Sequence, residues 1–274
     1  MRFWTPRERR NRRGGLRIPF EVPRNISIQA SRKFGWASTN WSGYAVSSST
    51  QGAYDSVSGS WVVPAVGPSG GSKPTSFWAR TWQSILRLLG IVSSGSDGYS
   101  ASWIGIDGFN NSSLIQTGTA QNYVNGQAQY YAWWEILPSP ETVISQTQYP
   151  VTPGDNMQAE IAKQADGTWT IQLKDLSKGW TFTRSGIHYS GPQTSAEWIE
   201  EAPEVGTTVA VLANYGETTF GNCAVNGRNP ALTEADGGVM YHNNQIVSTP
   251  SLPGPNGNDF NVAYGSTIPS APSS

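Results

Sequence analysis

The apolar and polar positions of this chain repeat mostly with a period of two. The run Asp55-Ser56-Val57-Ser58-Gly59-Ser60-Trp61-Val62-Val63-Pro64 alternates and stops at a proline, as a half-buried strand does. Similar short runs predict strands at 34–46, 101–108, 114–119, 127–137, 156–162, 169–175, 180–183, 196–203, 209–212, 218–220, 239–241 and 260–264. Gly, Pro, Asn and Asp punctuate them, and Asp166-Gly167 is a hairpin signal. No βαβ alternation, phosphate loop or dinucleotide fingerprint interrupts the series. The pattern predicts an all-β chain, one antiparallel β-sandwich spanning residues 35–274.

One stretch breaks the period. In residues 75–99, Trp78, Trp82, Ile85, Leu86 and Leu89 fit one helical face beside Arg80 and Arg87. This predicts an insertion, either a short helix over the sandwich or a loosely packed element.

Composition sharpens the picture. Gly 30 and Pro 18 disfavour helices, while Trp 12 and Tyr 11 suit strands and aromatic-lined clefts. The single cysteine, Cys223, excludes an internal disulfide framework. The net charge of -1 hides an asymmetry: residues 1–33 hold ten of the 18 Lys and Arg against Glu8 and Glu21. The remainder carries 8 basic and 17 acidic groups. That balance fits a basic pro-segment at 1–34 paired with an acidic, acid-active body, and equally a nucleic-acid tail. The body has no interleaved basic groove, so no nucleic-acid partner is expected for it. No long apolar run spans a membrane. Residues 1–33 lack a signal-type apolar core, so export is expected by another route or from a start further upstream.

The chemistry must come from carboxylates and amides. Neither His188 nor His242 stands in a metal-ligand or triad pattern, and no Gly-x-Ser-x-Gly elbow is present. No metal and no cofactor are expected. Three carboxylates crowd Ala196-Glu197-Trp198-Ile199-Glu200-Glu201. Strand alternation puts Glu197 with Ile199 and Trp198 with Glu200. An aliphatic neighbour raises a carboxyl pKa, so Glu197 reads either as the centre of acid chemistry or, with Glu200 and Glu201, as a solvated glutamate of an edge strand; Glu200 and Glu201 read as structural or surface residues. Glu135 lies among aromatics in Tyr131-Ala132-Trp133-Trp134-Glu135. A Glu135/Glu197 pair would also serve glycoside hydrolysis, and the tryptophans would serve carbohydrate binding. Asp107, before Gly108, reads as a turn aspartate. Gln116 reads either as a hydrogen-bonded strand glutamine or as an amide donor to a developing oxyanion.

Several ordered blocks resemble the glutamic peptidases, or eqolisins. These are Asn40-Trp41-Ser42-Gly43, Trp103-Ile104-Gly105-Ile106-Asp107-Gly108, Ile115-Gln116-Thr117-Gly118, Ala132-Trp133-Trp134-Glu135 and Ala196-Glu197-Trp198-Ile199-Glu200. The resemblance covers about residues 36–225 and weakens beyond. It implies a concanavalin- or jelly-roll-like sandwich of two antiparallel sheets of about seven strands each. It implies a secreted, monomeric acid endopeptidase acting on proteins or peptides, made as a zymogen. Glu197 would be its general base and acid and Gln116 its oxyanion donor. Trp41, Tyr131, Trp133, Glu135 and Asp107 would support the substrate site. Tyr131 stands where fungal members carry an aspartate. The fungal disulfides have no counterpart, which points to a bacterial-type, disulfide-free branch.

Overall fold

A computed structural model describes residues 33–69, 97–206 and 208–273. Along the chain the strands are β1 (Trp36–Ser38), β2 (Trp41–Ser47), β3 (Ser56–Val62), β4 (Ala101–Ile106), β5 (Ile115–Val124) and β6 (Gln127–Ile136). There follow β7 (Thr142–Val143), β8 (Asn156–Lys163), β9 (Trp169–Asp175), β10 (Trp180–Ile187) and β11 (Ser195–Glu201). The last are β12 (Glu204–Val205), β13 (Thr208–Val209), β14 (Glu217–Val225), β15 (Gly237–His242), β16 (Gln245–Pro250) and β17 (Phe260–Tyr264).

Two layers stack into a sandwich. One contains β10-β9-β8-β3-β14-β17 and the other β2-β11-β4-β5-β6-β7. The hairpin of β15 and β16 carries hydrogen bonding from one layer into the other, so the layers form one 15-stranded sheet, a continuous path with β1 off it. The expected sandwich of two antiparallel sheets is found, with strand counts that differ from seven each because this hairpin joins the layers. The physical reason is local: β16 pairs with both β15 and β17, while β15 pairs with β2. Every pairing along the path is antiparallel, and only β1 runs parallel, against β15.

The two layers differ in how they are buried. Strands β3, β8 and β9 alternate between buried and more exposed positions, so one face meets the core and the other meets solvent. In contrast, β4 and β5 are buried at every position. Their inner face packs on the opposite layer, and their outer face is covered too. The inner core holds Trp61, Trp169, Trp198, Phe220 and Phe260. Two indole N–H groups tie the layers together: Trp198 donates to the Ser58 carbonyl at 2.8 Å and Trp61 to Thr119 Oγ1 at 2.9 Å.

The predicted strands at 55–64, 101–108 and 156–162 are found. The expected strand 209–212 reduces to the end of β13, and β7, β12 and β16 were not foreseen. All three are short or interrupted, and pairing with neighbours creates them. The apolar cluster at 75–92 lies outside the described residues. Gly98 and Tyr99, at the end of the expected insertion, bridge to Tyr123 and Leu212. Phe34, at the end of the expected pro-segment, is buried in the core, and Trp36 is buried as well.

Candidate active site

The outer face of the second layer is built row by row from strand register. Glu197 on β11 is paired with Gly105 on β4, Gly105 with Gln116 on β5, and Gln116 with Glu135 on β6. Directly paired residues share a face, so these side chains leave the same side of the sheet. Glu197 and Gln116 sit two strands apart, about 10 Å between backbones. The residue between them has no side chain. A Cβ on Gly105 would lie 2.8 Å from Trp103 Cζ3 and 3.3 Å from the Ile115 carbonyl oxygen. Glycine is therefore what lets the Trp103 ring lie between the carboxyl and the amide.

The next row, one pleat along, is Gly43, Ile199, Trp103, Gly118 and Trp133. A Cβ on Gly118 would meet Trp103 Cβ at 2.5 Å, so this glycine makes room for the indole. Beyond it lies the row of Trp41, Glu201, Ala101, Ala120 and Tyr131. Its backbone is about 13 Å from the Gln116 row. Tyr131 is thus on the right face but remote from the Glu197 row. Trp41 starts equally far away, yet its ring tip reaches toward Gly108, where an added Cβ would be 3.0 Å from Cη2.

Gln116 and Glu135 are joined: Gln116 Nε2 donates to Glu135 Oε2 at 2.7 Å. Gln116 Oε1 has no partner, and neither has the indole nitrogen of Trp41 or of Trp133. Glu197 is fully buried and both its oxygens are unpartnered. Burial pushes its carboxyl well above the usual range, and the nearby Asp107 pushes the same way. The Ser195 hydroxyl and the Phe109 backbone N–H favour its ionised form, but neither closes a hydrogen bond to it.

Asp107 is more than a turn residue. It is fully buried with φ 70°, the left-handed region that aspartate tolerates. Its Oδ2 accepts from the Tyr189 hydroxyl at 2.6 Å and the Gln193 N–H at 2.8 Å. Its Oδ1 accepts from the Thr194 N–H at 2.8 Å and Asn111 Nδ2 at 2.9 Å. These bonds fasten the loop after β4 to the segment leading into β11. Phe109 of that loop packs against Trp36 at 5.5 Å between ring centroids.

Of the two roles left open for Glu200 and Glu201, structural or surface, Glu200 takes the structural one, and Glu201 is half-buried. Glu200 points into the space between the layers, fully buried, where Ser102 Oγ donates to it at 2.6 Å and Thr218 Oγ1 at 3.3 Å. The side-chain amide of Gln121 lies 3.3 Å from its other oxygen. This second Glu/Gln pair is sealed by β14 of the facing layer, whereas Glu197 and Gln116 face outward. Glu201 accepts from Trp103 Nε1 at 2.8 Å. Strict alternation from Glu197 already places Glu201 on the Glu197 face, which is the signal that could have found it.

Among the described residues no three His, Cys, Asp or Glu side chains come together to hold a metal ion. His242 Nε2 is 2.9 Å from the Thr39 carbonyl oxygen, and Cys223 is buried.

The sequence profile of the Peptidase A4 family matches residues 39–264. The chain belongs to the Peptidase A4 family. It is a glutamic-type acid endopeptidase, and its substrates are proteins or peptides. Aspergillopepsin-2 of Aspergillus niger is 28% identical over 213 residues, covering 74% of this chain and 70% of that relative. The fold is similar to that of scytalido-glutamic peptidase, solved with a transition state analog inhibitor, with a TM-score of 0.62 and 22% identity over 82% of this chain and 98% of that one. It is also similar to SCP-B, an eqolisin solved with the tripeptide Ala-Ile-His, with a TM-score of 0.56 and 22% identity over the same shares. The curated relative is fungal, so the expected bacterial-type branch finds no support. Membership of this family also decides against the carbohydrate reading of Glu135 and Glu197. Those two carboxyls stand three strands apart with Gln116 between them.

Proposed function

We propose that Glu197 and Gln116 carry the peptide-bond hydrolysis, with Glu135 orienting the glutamine. The observation that supports this most is the single row Glu197–Gly105–Gln116–Glu135 on one covered face. The two Glu197 carboxyl oxygens and the Gln116 amide oxygen have no protein partner. Buried polar atoms are otherwise nearly always hydrogen-bonded, so a row of unpartnered ones is built for something that arrives.

In this reading a water binds between Glu197 and the scissile carbonyl. Glu197 takes its proton, and the hydroxide oxygen bonds to the carbonyl carbon. The carbonyl electrons move onto oxygen, which accepts a hydrogen bond from Gln116 Nε2. One Nε2 hydrogen is committed to Glu135 Oε2, which fixes the amide plane and leaves the other for the oxyanion. The neutral Glu197 then gives its proton to the amine nitrogen as the C–N bond breaks. A carboxyl raised by burial suits both halves, since it is a stronger base when ionised and an acid matched to a leaving amine. Trp41, Trp133 and Tyr131 lie along the same face and would support the bound chain, and Asp107 holds the loop beside Glu197. The same reading takes residues 1–34 as a basic pro-segment, 35–274 as the peptidase domain, and the site of action as extracellular.

Gln116→Ala should lower kcat on a denatured protein substrate by on the order of 10²–10³-fold, with KM little changed. Wild-type kcat in this variant, measured by release of acid-soluble peptides, would remove Gln116 from the mechanism. Asp107→Asn removes a negative charge beside Glu197, and that charge raises the Glu197 carboxyl. The acid limb of kcat/KM should therefore move to lower pH. A limb that stays put or moves upward between pH 2 and 7 would contradict the coupling.

A further inference from the structure

We infer that Glu201 is a positioning residue for the reaction, acting through Trp103. This rests on the reading of Glu197 and Gln116 as the reacting pair. Trp103 starts from the row beside them and is fully buried. Its six-membered ring lies along the floor of the gap, close enough that Gly105 has no room for a Cβ. The ring therefore forms the surface over which the scissile bond must lie between carboxyl and amide. Nothing about indole packing alone fixes its position along that floor, because a flat ring between glycines can slide and tilt. Three contacts fix it here. Gly118 seats its Cβ. Trp41 meets it in a T-shaped contact, 5.0 Å between centroids at 77°. Glu201 takes its one polar handle, the Nε1 hydrogen, at 2.8 Å.

Of these contacts only the third is directional, and it lies at the end of the indole away from Gly105. Glu201 is itself steadied by Asn40 Nδ2, 3.4 Å from its other oxygen. Both carboxyl oxygens are thus turned toward residues of the two blocks that surround Trp41 and Trp103. The hydrogen bond needs an acceptor oxygen, not a negative charge, so it persists when the carboxyl is neutral in acid. A glutamine supplies the same oxygen.

The test compares kcat and KM of the full chain on one peptide substrate at acid pH. The variants are Glu201→Gln, Glu201→Leu, Trp103→Phe and the double variant Trp103→Phe/Glu201→Leu. Glu201→Leu should lose about tenfold in kcat, the worth of one hydrogen bond to a carboxyl, with KM within about twofold. Glu201→Gln should stay within about twofold of wild type. In the Trp103→Phe background, Glu201→Leu should cost nothing further, because phenylalanine has no N–H to hold. Equal losses in Glu201→Gln and Glu201→Leu would overturn the proposal. So would a loss that is undiminished in the Trp103→Phe background, or wild-type kcat in Glu201→Leu. If Glu201→Leu does not fold, Glu201→Ala replaces it: a kcat loss of about tenfold with Glu201→Gln near wild type supports the strut, and wild-type kcat overturns it. Activity retained in Glu197→Gln would instead sink the catalytic assignment, and the Trp103–Glu201 coupling on kcat would still be readable.

Discussion

Glu197→Gln should lower kcat by on the order of 10³-fold or more while the protein folds as well as wild type or better. The amide has nearly the same shape and can neither take the water's proton nor return one, and a positioned acid–base group is worth about 10²–10⁴-fold. Stability should not suffer, because the carboxyl it replaces is fully buried with neither oxygen partnered. Such a group is unfavourable to the fold in its ionised form. Hydrolysis of an acid-denatured protein between pH 2 and 7, followed beside thermal melting, checks both halves. Comparable activity in the variant and the wild type would discard Glu197 as the reacting group. Loss of activity with a collapsed melting temperature would reduce it to a packing residue.

The second large effect concerns Glu200. Burial pushes its carboxyl up to about 8, against the hydrogen bonds from Ser102 and Thr218 that pull it down. The groups that face it are hydroxyls, the Gln121 amide and Tyr215, whose own hydroxyl is pushed upward by burial and by Glu200. No cation compensates the charge among these neighbours. Below the ordinary glutamate range both folded and unfolded chains keep the proton, and the stability of the fold is complete. Between there and about 8, the unfolded chain releases the proton and the folded one does not. Stability therefore falls as pH rises through that window, by several kcal/mol in all. Glu200→Gln should remove this slope and leave a fold that melts higher near neutral pH and almost unchanged in acid. Chemical unfolding measured from pH 3 to 8 reports it directly. Parallel curves for variant and wild type would show that Glu200 does not titrate with folding.

Much of this site was legible in the sequence because strand register converts spacing into position. Gln116 shares β5 with Thr117, Thr119, Gln121 and Asn122, and Glu197 shares β11 with two more glutamates, so it is the ordered blocks that pick out Gln116, Glu135 and Glu197, and pairing brings them into one row. Glu200 stayed open between a structural and a surface role because alternation says which face a residue takes but not whether that face is wet. Only the seating of β14 across β11 makes the inner face dry. Asp107 was half legible. Its place before Gly108 signals a turn, but its four donors come from Asn111 nearby and from Tyr189, Gln193 and Thr194 some eighty residues on. Short strands such as β7 and β12 carry too few residues to show a period and exist because a neighbour offers them hydrogen bonds.

The continuous hydrogen-bonded path through β15 and β16 has a consequence for life in acid. Two separate sheets would present four unpaired edge strands, each a template for another chain. A single folded-over path leaves β10 at one end and the two-residue β7 at the other, with the three-residue β1 off the path. The β10 edge carries Arg184 and loses its register between Arg184 and Ile187, which blunts it further. When low pH neutralises the carboxylates that keep copies of this acidic body apart, the main sheet of the described residues leaves little open backbone on which they could join.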